Sequence, residues 1–119
     1  MRTIFIGILL LVTSSSAPAQ EGVYEGTWVT TKRPLDGSMT CVVTEKGKDN
    51  WQGHFYGVWY GQEFSYTVAF NGPPTRLRGR AMIDGADYEW TGEMTGETFR
   101  GRFGGNRYEG SFTLKRKGR

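Results

Sequence analysis

A five-residue unit recurs along this chain: a bulky residue, an intervening one, a glycine, another intervening one and a second bulky residue. It stands as Tyr24-Glu-Gly-Thr-Trp28, Trp51-Gln-Gly-His-Phe55 and, overlapping it, Phe55-Tyr-Gly-Val-Trp59. It returns as Trp90-Thr-Gly-Glu-Met94, Phe99-Arg-Gly-Arg-Phe103 and Tyr108-Glu-Gly-Ser-Phe112. The period is two, so aromatics and glycines share one face of a β-strand while charges take the other. No stretch keeps a helical period.

Turn chemistry divides the chain into eight expected strands: 23–30, 38–45, 50–60, 63–70, 76–83, 87–94, 99–103 and 107–115. Lys46-Gly47-Lys48 turns the second strand into the third. Gly61-Gln62 reads as a type II′ hairpin loop and Asp84-Gly85 as type I′. Gly96-Glu97 and Gly105-Asn106 close the last two hairpins. With Asp84-Gly85 as a two-residue loop, Ala81 faces Tyr88, Gly79 faces Trp90 and Leu77 faces Gly92. On the opposite face Arg80 meets Glu89 and Arg76 meets Glu93, both favourable cross-strand pairs. The following turns set Glu93 against Arg100, Arg102 against Glu109, and Phe103 beside Tyr108.

Every aromatic residue from Tyr24 to Phe112 except Tyr56 and Tyr60 then falls on one face, joined by Met39, Cys41, Val43, Val68, Leu77 and Met94. A sheet with such a face must bury it. Eight antiparallel strands do so by closing as an up-and-down meander into a small all-β barrel, with mid-strand glycines relieving crowding.

Residues 1–19 have the anatomy of a secretory signal peptide: Arg2, an apolar stretch from Ile4 to Val12, and Ala17-Pro18-Ala19 as the cleavage site. The apolar stretch is too short to span a bilayer, and nothing later is apolar enough for a transmembrane helix. The expectation is a secreted or periplasmic protein cleaved after Ala19, with 20–119 as a single barrel domain. Cys41 is the sole cysteine, so no intramolecular disulfide can form and packing must hold the fold.

Gly26-Thr27-Trp28 on the first strand, with Lys115 and Arg116 ending the last, resembles the calycin pattern of lipocalins and avidin-type proteins. That resemblance implies a barrel in which Trp28 packs beneath a basic residue of the final strand. It does not carry over a biotin site, since the inward positions offer no Asn, Ser or Asp. Arg107-Tyr-Glu-Gly-Ser-Phe112 also resembles a MORN repeat, which implies a long open sheet, although the units here lack an even period.

The aromatic interior is the feature with a binding role in view. An eight-stranded barrel is either filled by side chains or holds one small ligand. The candidate ligand-binding residues are Trp28, Trp59, Tyr66, Tyr88, Trp90 and Tyr108, suited to a small apolar or aromatic ligand. Val42, Tyr56, Val58 and Tyr60 face outward as a candidate self-association surface, which would make a homo-oligomer.

From Thr98 onward seven Lys or Arg stand against Glu109 alone, and the basic tail from Lys115 to Arg119 could meet an anionic envelope polymer. Arg76, Arg78 and Arg80 read as a solvated ion-pair face, and nucleic acid is not expected. His54 points outward and Cys41 inward, so neither a metal site nor a nucleophile–base pair is expected. Every Asp and Glu lies outward or in a turn, so no carboxylate gains the desolvated setting of a hydrolase. The reading is an exported, non-enzymatic binding module without a cofactor. The alternatives are a filled-core envelope protein acting through its outer surface, and an enzyme built from the loops at 31–37 and 71–75, where Lys32, Arg33, Asp36 and Asn71 would have to converge.

Overall fold

The computed structural model describes residues 20–32, 35–83, 85–105 and 107–117; residues 1–19, where a signal peptide is expected, Arg33, Pro34, Asp84, Asn106 and the last two residues lie outside them. Eight strands follow one another: β1 (Gly22–Thr30), β2 (Asp36–Gly47), β3 (Asn50–Trp59), β4 (Gln62–Asn71), β5 (Leu77–Ile83), β6 (Ala86–Thr95), β7 (Thr98–Gly105) and β8 (Glu109–Arg116). Each pairs antiparallel with the next, and β8 returns to β1 to close the barrel. The closure excludes the long open sheet that the MORN-like unit implied.

The period-two pattern places side chains as expected. Tyr24, Trp28, Trp51, Phe55, Phe70, Tyr88, Trp90, Phe99 and Phe112 are buried, while Trp59, Phe64, Tyr66 and Phe103 pack against that core from half-buried positions. The β5–β6 register is the expected one, with Gly79 opposite Trp90, Arg80 opposite Glu89 and Ala81 opposite Tyr88. Glu93 likewise stands opposite Arg100.

Two hairpin registers differ from expectation by two residues. The β3–β4 loop is Tyr60-Gly61 rather than Gly61-Gln62, so His54 faces Thr67 and Tyr56 faces Ser65. Both loop residues have positive φ, 53° and 74°, the backbone of a type I′ turn with Tyr60 in the uncommon non-glycine position. The β7–β8 register sets Arg102 against Ser111, Phe103 against Gly110 and Gly104 against Glu109. A longer connection accounts for it, with the Gly105 N–H donating to the Tyr108 carbonyl at 3.0 Å. The expected Arg102–Glu109 and Phe103–Tyr108 pairings therefore do not form. The β2–β3 turn also comes later, at Lys48-Asp49, after a bulge between Glu45 and Gly47.

One end of the barrel is packed shut. Tyr24, Cys41, Leu77, Met94, Phe99 and Leu114 have essentially no exposure there. The segment between β4 and β5 crosses this end: the Trp51 indole donates to the Gly72 carbonyl at 2.9 Å and the Met94 N–H to the Pro74 carbonyl at 2.7 Å. Arg116 caps the side, its guanidinium 4.9 Å from the Tyr24 ring centroid. The expected partnership of Trp28 with the last strand's basic residue is thus replaced. The β1–β8 register sets Tyr24 opposite Arg116 and Trp28 opposite Phe112, so the indole lies toward the other end, out of Arg116's reach.

Candidate functional site

That other end is where β1 and β3 finish and β2 and β4 begin, and there a cavity of about 500 Å³ opens. Its floor is an aromatic cluster. Phe55 lies 5.9 Å from Trp90 and 6.0 Å from Phe112, and Trp90 is 6.0 Å from Phe112, all ring centroid to ring centroid. Phe99 backs the floor at 5.3 Å from Phe112 and joins it to Tyr24, 5.7 Å away at the shut end. Edge-to-face contacts of this kind rigidify a core beyond their buried area.

The wall is aromatic as well. Trp28 and Trp59 stack at 5.1 Å with planes 18° apart, and Tyr108 meets Trp59 edge-on at 5.2 Å. Phe64 and Tyr66 stack at 6.0 Å on β4, and Ala81 and Ile83 of the neighbouring β5 continue the lining. Gly37 makes room for the indole of Trp28: a Cβ there would lie 2.9 Å from its Nε1.

All six residues singled out from the sequence, Trp28, Trp59, Tyr66, Tyr88, Trp90 and Tyr108, line this one cup. Sequence reasoning missed the rim, where Tyr60, Gln62, Glu63, Ser65 and Arg107 contribute. Gln62 follows from the β3–β4 register, which starts β4 there rather than at Glu63, and Arg107 from the longer β7–β8 connection.

It also missed a slit in the wall. Strands β3 and β4 pair at ten positions, whereas β4 and β5 pair only at Phe70–Gly79 and Asn71–Arg78. Toward the mouth the two strands diverge, and the cup reaches between them to the outward-facing Ser65. Their connection contains Pro73-Pro74 in place of a tight hairpin turn, so no loop geometry enforces pairing beyond its base.

Trp28 is 5% exposed, and its indole N–H, packed over Gly37, has no hydrogen-bond partner among the described residues. A buried donor left unsatisfied is costly, and this one belongs to a side chain lining an otherwise apolar cup.

Elsewhere the candidate residues separate. Tyr56 and Val58 are outward and exposed, Val42 is half-buried, and Tyr60 sits in the turn with its ring edge-on to Trp59 at 5.5 Å. The outer patch is therefore smaller than expected, because Tyr60 belongs to the mouth. His54 is on the outer face, hydrogen-bonded to Thr67 at 2.9 Å and Ser65 at 3.1 Å. Cys41 is fully buried, and burial pushes its thiol pKa well up. No group of three or more His, Cys, Asp or Glu gathers among the described residues. Lys32 and Asp36 lie by the mouth and Asn71 at the shut end, so they do not converge; Arg33 is outside the described residues. The basic tail is partly engaged, with Arg116 on Tyr24 and Lys117 bridging Glu25 at 3.1 Å.

No family model matches this sequence, and no curated protein matches it. Among solved structures the chain is similar to a de novo designed fluorescence-activating β-barrel, with a TM-score of 0.69 at 19% identity over 84% of this chain and 97% of that one. It is also similar to the crystal structure of Rv2717c from M. tuberculosis, with a TM-score of 0.56 at 8% identity over 94% and 100% of the two chains. At these identities the likeness concerns the fold: an eight-stranded antiparallel barrel.

Proposed function

We propose that this protein is a non-enzymatic binding barrel that carries one small, flat, largely apolar ligand in its open cup. The observation that carries this reading is the contrast between the two ends. One is packed shut, while the other keeps a cup of about 500 Å³ walled by aromatic rings, within the usual range for small-molecule sites. The aromatic wall, with tyrosine hydroxyls and rim groups such as Gln62 and Ser65 at hand, suits a flat apolar body carrying a few polar atoms. The slit between β4 and β5 would let a ligand longer than the cup project sideways. The designed neighbour's description as fluorescence-activating is in keeping with a barrel that presents a cup.

The leader-like segment at 1–19 supports export to the periplasm or beyond as part of this proposal, and amino-terminal sequencing of the protein from its own source tests it. Gly26-Thr27-Trp28 and the strand count support a calycin-type kinship, although the basic residue partners Tyr24 instead of Trp28.

Native mass spectrometry of protein purified gently from its source tests the carrier reading, with an excess mass that vanishes on denaturation as the expected result. In parallel the neutral fluorophore N-phenyl-1-naphthylamine should bind saturably, one per chain. Trp59→Ala should weaken it by about tenfold or more, and Lys46→Ala, exposed at the far end of β2, should change it little. A bare mass together with non-saturable dye binding would sink the proposal.

A further inference from the structure

The outer face of β5 to β8 carries a second feature, unrelated to the cup. The register sets Arg78, Thr91, Arg102 and Ser111 in one row across the four strands, with Glu93, Arg100 and Thr113 in the row beside it. Arg76 precedes β5 and flanks the same row. Strands spaced about 4.8 Å apart, with about 7 Å between alternate residues, put Arg76 and Arg78 roughly 10 Å across from Arg100 and Arg102. Four guanidiniums therefore frame Thr91 and Glu93.

Three of the four charges are not cancelled. Glu93 takes Arg100 at 3.2 Å, and Arg80, outside the frame, is held by Asp87 at 3.0 Å and Glu89 at 3.7 Å. The side chains of Arg76, Arg78 and Arg102 have no ion pair or hydrogen bond among the described residues. The expected Arg76–Glu93 and Arg102–Glu109 pairs are thus absent, and three free cations wall a surface concavity of about 620 Å³.

We propose that this arginine frame binds a flexible chain of closely spaced phosphate or sulfate groups. Guanidinium forks match tetrahedral oxyanions bidentately. Two anionic groups, one at each side of the frame, would engage Arg76 with Arg78 and, across the frame, Arg102 beside the Glu93-held Arg100, with the hydroxyls of Thr91, Ser111 and Thr113 as further donors. A lone anion would meet only one pair. Nucleic acid fits less well, because no exposed aromatic ring lines the groove to stack a base. Solvent exposure makes the attraction salt-sensitive.

The test is titration calorimetry at low salt with three probes: inorganic tripolyphosphate, dextran sulfate and single-stranded DNA. Saturable binding of tripolyphosphate is expected if phosphate is the natural group, and of dextran sulfate if it is a sulfated glycan. Arg78→Gln/Arg102→Gln should weaken that binding by about tenfold or more, while Arg80→Gln should change it less than about twofold because Arg80 is already paired. Retained naphthylamine binding in the cup would show that the variants fold. The proposal is overturned if neither polyanion binds saturably, if Arg80→Gln is as damaging as the double change, or if DNA binds more tightly than both.

Discussion

Arg116 donates a hydrogen bond to the Tyr24 hydroxyl at 2.8 Å while its guanidinium lies over the same ring, and that hydroxyl in turn donates to the Gln20 carbonyl at 2.9 Å. Arg116 also donates to the Glu21 carbonyl. One side chain thus ties the last strand to the start of the first, on the strand pair that closes the barrel.

Tyr24→Phe keeps the ring and removes the hydroxyl relay. Urea denaturation should show a loss of about 1–2 kcal/mol, with dye binding in the cup unchanged because the shut end is remote from it. Lost binding at retained stability would show that the ends are coupled.

The inward glycines make a contrast that can be measured. A Cβ at Gly79 would lie 2.5 Å from Cε2 of Trp90, and one at Gly101 2.4 Å from Cζ of Phe112. Gly79→Ala should therefore destabilise by about 1–3 kcal/mol, as overpacking does, and weaken ligand binding by displacing the cup floor. At Gly104 the nearest atom would be Glu109 Cγ at 3.9 Å. Gly104→Ala should be neutral or stabilise by a few tenths of a kcal/mol, as loss of glycine freedom in the unfolded chain dictates.

Much of this was legible in the sequence. The period of two assigned faces correctly, and turns such as Gly96-Glu97 set β6 against β7 because two residues leave one register available. Tyr60 shows where that logic fails. Its φ of 53° is open to a non-glycine residue only at some cost, so the neighbouring glycine drew the turn one place too late. The cup's aromatic wall was legible for the same reason as the core. Its rim and slit were not, since they depend on where β4 begins and on a pairing that stops after Phe70–Gly79.

Cys41 gives a pH dependence of known sign. Burial raises its pKa in the folded state, so the thiol ionises only after unfolding. Its contribution is fully present below the unfolded pKa, about 8.5, and falls as pH rises past it, by up to about 1.4 kcal/mol per pH unit. Cys41→Ala should flatten this alkaline decline in denaturation curves. Iodoacetamide should leave the folded wild type unmodified and label it in urea.

Closing the slit should slow ligand uptake. Continuing the register from Phe70–Gly79 would place Thr67 opposite Met82, both exposed. In a Cys41→Ala background, Thr67→Cys/Met82→Cys should bridge only when the strands draw together. Stopped-flow association of the naphthylamine dye should then be several-fold slower in the oxidised form and recover on reduction. Equal rates would assign access to the mouth alone.

The loose β4–β5 contact also divides the molecule mechanically. β1 to β4 and β5 to β8 are each a run of hairpins between neighbours in sequence, joined firmly at the seven-residue β1–β8 ladder and weakly at the two-residue one. The firm seam runs from Tyr24–Arg116 to Thr30–Gly110. A chain severed between Gly72 and Arg76 would present two four-stranded halves, each with its own aromatic inner face and a bare edge cut to receive the other.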